Sequence, residues 1–360
     1  MAYTIKEGDY RQYGASAAGG GVVFTFEAEK EEDCSILLYG KDGGIRQELK
    51  VPESCCRGAI RSVFVAGLKA ESLRYNYKIS GTVVTDPYAK RIIGRERWRD
   101  AGRVKNEFRV CGGYSDDTFS WGTDVHPEIP RHEMFLYKLN IRGFSMDAGI
   151  PAKERGTFAA VRDKIPYLKE LGINGVMLLP VYEFDEIRNR QQDYQIPADT
   201  MPKAEEKTVL LNYWGYGTKN TYYFAPKVSY ASDKTRPSME FKEMVKALHA
   251  NGIEIIMDIY FTPGTNLFLM TDCLRNWVMQ YHVDGFRVNQ EVMPSLTLAS
   301  DPVLSGVKIF GNYWDVAALS QAGISSRKNT LAEYNEGFLC NVRRFLKGDE
   351  GMVEKVVHSF

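Results

Sequence analysis

The side chains in this chain that are equipped for chemistry stand where apolar runs end. Asp258 interrupts the run Ile253 to Phe261, Arg287 and Asn289 close Val283 to Asn289, and Asn312 follows Val307 to Phe310. Asn289 and Asn312 are amides, which donate and accept hydrogen bonds but neither ionise nor release a proton at a useful pKa. Arg287 is a permanent cation that either binds a hydroxyl or pairs with a carboxylate. Trp214 and Tyr216, within Tyr213-Trp214-Gly215-Tyr216-Gly217, and Trp314 offer flat faces that stack on sugar rings or pack in cores. Glu291 and Asp315 are the carboxylates that follow most closely. The five histidines (His126, His132, His249, His282, His358) and six cysteines show no metal-ligand or triad spacing, so surface histidines, no metal and no cofactor are expected.

Elements able to hold these residues change texture along the chain. Between residues 20 and 110, short β-rich runs such as Gly21 to Phe26, Ser35 to Tyr39 and Leu73 to Ile79 alternate with turn residues, which predicts a β-sandwich of the immunoglobulin-like kind. A Gly-, Pro-, Ser- and Asp-rich linker occupies about 112–131. Beyond it, strands expected at Phe135–Ile141, Gly175–Val181, Ile253–Phe261, Val283–Val288 and Val307–Phe310 alternate with helical spacings. Phe158, Val161, Ile165 and Leu168 mark one helix, which Pro166 should strain. Near-continuous apolar strands separated by helices predict a parallel sheet or barrel. Residues 185–210 read as a polar surface insertion. The expected division is a β-sandwich over 1–128 and an incomplete (β/α) barrel of the TIM type over 129–360.

In order along the chain, these segments resemble glycoside hydrolase family 13 debranching enzymes of the isoamylase and pullulanase type. Asp86-Pro87-Tyr88-Ala89 with Ile93-Gly94-Arg95-Glu96 resembles the end of the family 48 carbohydrate-binding module that precedes such enzymes. Tyr137-Lys138-Leu139-Asn140-Ile141-Arg142-Gly143-Phe144 resembles their first barrel strand. Ile165 to Ile173 with Leu179-Pro180-Val181-Tyr182-Glu183-Phe184-Asp185-Glu186 resembles the second unit, and Tyr213 to Gly217 the aromatic loop beside the cleaved sugar.

The resemblance implies retaining hydrolysis of α-glucosidic bonds by two carboxyl groups about 5 Å apart. It also implies where they should be. The nucleophile motif, Gly-Phe-Arg-x-Asp, reads Gly285-Phe286-Arg287-Val288-Asn289, and the acid motif, Gly-Glu-Pro-Trp-Asp, reads Gly311-Asn312-Tyr313-Trp314-Asp315. The third-strand motif keeps Asp258 but has Thr262 and Pro263 in place of Asn and His. A seventh-strand His-Asp pair has no counterpart before Phe360, and five of eight barrel strands can be placed. No catalytic residue is therefore expected intact, and Trp214, Tyr216, Asp258, Arg287 and Trp314 remain as substrate-binding candidates. The expected function is glucan binding without catalysis. The alternatives are hydrolysis of α-1,6 bonds by displaced carboxylates such as Glu291 or Asp315, and a non-functional gene fragment. Expected partners are an α-glucan polysaccharide and either an active paralogue or a second copy held at open barrel edges.

Bulk properties narrow the rest. The 46 Lys plus Arg equal the 46 Asp plus Glu, so no overall field draws the chain to nucleic acid or acidic lipid. Neither a signal peptide nor an 18-residue apolar stretch is visible, which predicts a cytoplasmic protein without a membrane span.

Overall fold

The computed structural model describes residues 3–100, 110–116, 118–146, 149–189, 209–218, 220–324 and 330–359. The N-terminal part contains two antiparallel sheets. Thr4–Glu7, Ile60–Ala66, Gly21–Glu27 and Gly14–Ala18 lie side by side in one. Ile92–Ile93, Cys111–Gly113, Arg74–Ile79, Cys34–Tyr39 and Ile45–Lys50 form the other. Alternation aims Val22, Phe24 and Phe26 of the first sheet and Ile36, Leu38, Tyr75 and Tyr77 of the second into one core. Phe26 stacks on Tyr77 with ring centroids 4.1 Å apart.

Asp86 is fully buried at the edge of this core and accepts hydrogen bonds from the Tyr77 hydroxyl (3.2 Å), the Tyr75 hydroxyl and the Tyr88 backbone N–H (2.8 Å). Burial raises its pKa to about 6, although the three donors favour the carboxylate.

The stretch after Asp86 leaves the two antiparallel sheets and docks on the second half of the chain. Trp98 stacks on Tyr230 at 5.5 Å, and Arg95 donates to the Asn220 carbonyl (3.0 Å) while lying 3.7 Å from both Glu183 and Asp185. Beside it Lys227, wholly buried, bonds Glu183 and Glu186 at 3.0 Å each and the Phe184 carbonyl at 2.8 Å. These acids belong to the Leu179 to Glu186 motif, so two sequence signals far apart in the chain meet here.

The second half is built on a parallel sheet whose spatial order follows the sequence: β1 (Leu136–Leu139), β2 (Gly175–Leu178), β3 (Glu254–Ile259), β4 (Gly285–Val288), β5 (Lys308–Gly311) and β6 (Leu331–Glu333). Helices Pro237–His249 and Leu267–Tyr281 flank β3 and bury Phe241, Val245, Leu248, Leu274 and Trp277. Five strands were expected, and six are present among the described residues. The sixth is three residues long, too short for any periodicity to reveal. Pro166 does not strain a continuous helix. It occupies the first turn of a second helix, Ile165–Glu170, directly after Phe158–Asp163, where its missing N–H costs nothing. Part of the 185–210 insertion is a strand pair, Ile187–Asn189 with Val209–Leu211, and the rest lies outside the described residues.

The sheet curls: the Tyr334 hydroxyl, just beyond β6, reaches Met177 Sδ of β2 at 3.2 Å. Among the described residues no strand pairs with the outer edge of β1 or of β6.

The histidines depart most from expectation. His249 is buried, His282 is half-buried, and both join His126 in one cluster with Asp124 and Asp284 at the end of the sheet where the strands begin. Spacing could not show this, because the linker, two helix ends and a strand entrance each contribute one or two residues.

Candidate functional site

Strand register builds the other end of the sheet. In the parallel pairing of β3 with β4, Asp258 stands opposite Arg287, so both side chains project from the same face. Arg287 Nη1 lies 3.3 Å from Asp258 Oδ1. Lys138 of β1 reaches across β2 and places Nζ 2.9 Å from Asp258 Oδ2, which also accepts the Tyr216 hydroxyl proton. Asp258 is fully buried, so its charge is held by two cations and a phenol and is not offered outward. Burial, then the neighbouring Asp258 charge, raises the Tyr216 hydroxyl pKa. Burial weighs against the Arg287 cation, but Asp258 together with Tyr216 and Tyr334 outweighs it and leaves that pKa raised.

Tyr216 is aimed by its loop. Gly215 has φ +75°, and a side chain there would come within 2.7 Å of Pro180 and 2.8 Å of Phe184. Only glycine satisfies both demands. Trp214 is 59% exposed.

Asn289, at the position where the resemblance puts the nucleophile, is buried and committed. Its Oδ1 accepts the Phe261 N–H and its Nδ2 donates to the Phe261 carbonyl, both at 2.9 Å. The amide clips the end of β4 to the segment after β3. Asn312, at the expected acid position, is exposed.

Trp314 is only 7% exposed, and its indole lies on Gly311 and donates to the Ala332 carbonyl at 2.9 Å. The ring is thus largely enclosed by its own framework. Of the nearby carboxylates, Asp315 caps the helix Val316–Gln321 by accepting the Ala318 N–H (2.9 Å), and Glu291 is exposed.

The structure therefore joins Asp258, Arg287 and Tyr216, leaves Trp214 at the surface, and takes Asn289 and Trp314 into the framework. Lys138 and Tyr334 belong to the same end of the sheet and were not singled out as site residues. The signal for Lys138 was its position in the Tyr137 to Phe144 motif, with polar Asn140 two residues on.

Comparison with known proteins fits this geometry. Residues 122–262 match the family model of the alpha-amylase catalytic domain. Isoamylase 3, chloroplastic, from Oryza sativa subsp. japonica is 32% identical over 440 residues, covering 98% of this chain and 55% of that protein. The glycogen debranching enzyme of Yersinia enterocolitica is 26% identical over 429 residues, covering 96% and 62%. This chain thus spans little more than half the length of the curated relatives it matches. Among solved structures, the pullulanase from Paenibacillus barengoltzii in complex with maltohexaose and alpha-cyclodextrin superposes with a TM-score of 0.65 at 19% identity, over 92% of this chain and 58% of that one. That likeness establishes the fold of the aligned part. Among the described residues no helix is long and apolar enough to cross a membrane.

Proposed function

We propose that this chain binds α-glucan without hydrolysing it, as a debranching-type protein whose catalytic centre has been converted to framework. The observation that carries this reading is Asn289, whose amide uses both its oxygen and its nitrogen on the Phe261 backbone. A carboxylate able to attack an anomeric carbon has to be free and ionised. Asp258, paired with Lys138, Arg287 and Tyr216, is likewise no substitute. Of the carboxylates among the described residues at this end of the sheet, Asp315 is engaged as a helix cap and Glu333 accepts the Trp314 N–H (2.7 Å), so neither is left as the second member of a carboxyl pair.

Support for a glucan as the ligand comes from relatives named for isoamylase and glycogen debranching, and from a structural neighbour in complex with maltohexaose. Exposed Trp214 and half-exposed Tyr216 are the aromatic faces at the barrel mouth. The N-terminal sandwich is the second binding element, in the role of a carbohydrate-binding module.

One ring on one sugar face contributes on the order of 1 kcal/mol. Retention therefore depends on a polymer that presents many sites at once. Glycogen cast into a native gel is expected to slow the folded protein, Trp214→Ala to weaken the retardation, and dilute maltose to leave migration unchanged. Equal migration with and without glycogen removes glucan binding.

A further inference from the structure

The histidine and aspartate cluster lies at the opposite end of the sheet from Asp258 and has no part in the proposed glucan site. It is a continuous chain of contacts. His126 Nδ1 is 2.6 Å from Asp284 Oδ1, and His249 Nε2 is 3.0 Å from Asp284 Oδ2. His249 Nδ1 lies 3.0 and 3.1 Å from the two oxygens of Asp124, and His282 Nδ1 is 2.7 Å from Asp124 Oδ2. Ile255 N–H fixes Asp284 from behind at 2.7 Å, and Trp121 stacks on the His282 ring at 3.7 Å.

We propose that His126, His249 and Asp284 form a site for a divalent cation of the zinc type, which fastens the linker to the base of the parallel sheet. The donor atoms of these three residues all lie within 4.8 Å of one another. Zinc with ligands at about 2.0–2.1 Å in tetrahedral array needs donors roughly 3.3 Å apart, so the histidine–carboxylate contacts of 2.6 and 3.0 Å open slightly around the ion while the wider separations close. Two imidazoles and one carboxylate are a donor set suited to zinc and its neighbours in the first transition row.

The outer shell is the stronger argument. Asp124 accepts the Nδ1–H of His249, which leaves Nε2, the nitrogen that shares its proton with Asp284 without an ion, as the atom that ligates once that proton is lost. A ligand histidine normally has such a carboxylate behind it. His282, held by Trp121, then fixes Asp124. His126 has 40% of its side chain exposed, so ion and solvent can enter from its side, and water completes the fourth position. On binding, the cation replaces the protons that His126 and His249 otherwise share with Asp284, and these protons pass to solvent. The result is a crosslink between linker residue 126, the C-terminal end of helix Pro237–His249 and the entrance of β4.

The test uses the full chain, treated with EDTA and freed of it, then titrated with Zn²⁺ by calorimetry and with Co²⁺ by visible absorption. One equivalent per chain, proton release seen in buffers of different ionisation heat, and a raised melting temperature are expected. Asp124→Asn is expected to weaken binding by about 10–100-fold, as loss of an outer-shell partner does, and His126→Ala by more. The Co²⁺ spectrum of the unmodified chain should show nitrogen and oxygen ligands without thiolate charge transfer, and this readout does not depend on any variant folding. No binding heat and an unchanged melting temperature would mean a proton-mediated clasp only and overturn the proposal. So would an equivalent that survives His126→Ala, or a thiolate band placing the ion at a cysteine such as exposed Cys340.

Discussion

Asn289 and Asp86 show how much of a side chain's role lies in its partners. The type of residue 289 was legible from the Gly285 to Asn289 motif, whereas its two bonds to Phe261 were not, because the partner lies 28 residues away in the segment after β3. An aspartate at 289 would lose the donor to the Phe261 carbonyl and set a negative charge against it. Asn289→Asp is accordingly expected to destabilise the fold by about 1–3 kcal/mol, the usual cost of an unsatisfied buried group, in urea unfolding at neutral pH. It is also expected to release no sugar, either alone or with Asn312→Glu, because Thr262 and Pro263 stay unlike the family pattern. Asp86 makes a pH prediction. Its folded pKa of about 6 lies above the usual 3.8, so the folded state binds the proton more tightly. Its contribution is present at low pH and is lost as pH rises from about 4 to about 6, by on the order of 2–3 kcal/mol. Comparing the stability of the unmodified chain with Asp86→Asn over that window isolates the effect, and the variant should lack this component of the fall. Parallel curves would show that Asp86 is not held protonated.

At the scale of elements, the alternating runs of the two antiparallel sheets and the apolar strands β1 to β5 were readable because their periodicity spans several residues. Strand β6 and the split at Pro166 were not, since one is three residues long and the other turns on which helical position the proline occupies. Docking between elements was hidden as well. The Ile93 to Glu96 and Leu179 to Glu186 motifs were visible separately, but only folding brings Arg95 and Lys227 onto the same buried acid, Glu183. Lys227→Met removes the ammonium and leaves Glu183 and Glu186 buried without it. A loss of about 3–5 kcal/mol is expected, measured by chemical denaturation, as for other buried pairs deprived of one partner. A loss near zero would mean that water reaches the acids and that this docking is looser than described.

For the whole molecule, the parallel sheet does two separate jobs at its two ends. Where the strands begin, the linker is bound by a ladder of imidazoles and carboxylates. Where they end, Lys138 and Arg287 hold the charge of Asp258, and Asn289 ties β4 to the segment after β3. The family pattern was legible over nearly the full chain, yet the chain spans little more than half of its curated relatives. The proposal that it binds glucan without hydrolysing it rests on Asn289 being tied into the framework. Release of reducing ends from pullulan, amylopectin and glycogen by the purified, folded chain tests that claim most directly. The account predicts no release above the buffer blank for all three substrates; release by the unmodified chain that Glu291→Ala or Asp315→Ala abolishes would contradict it.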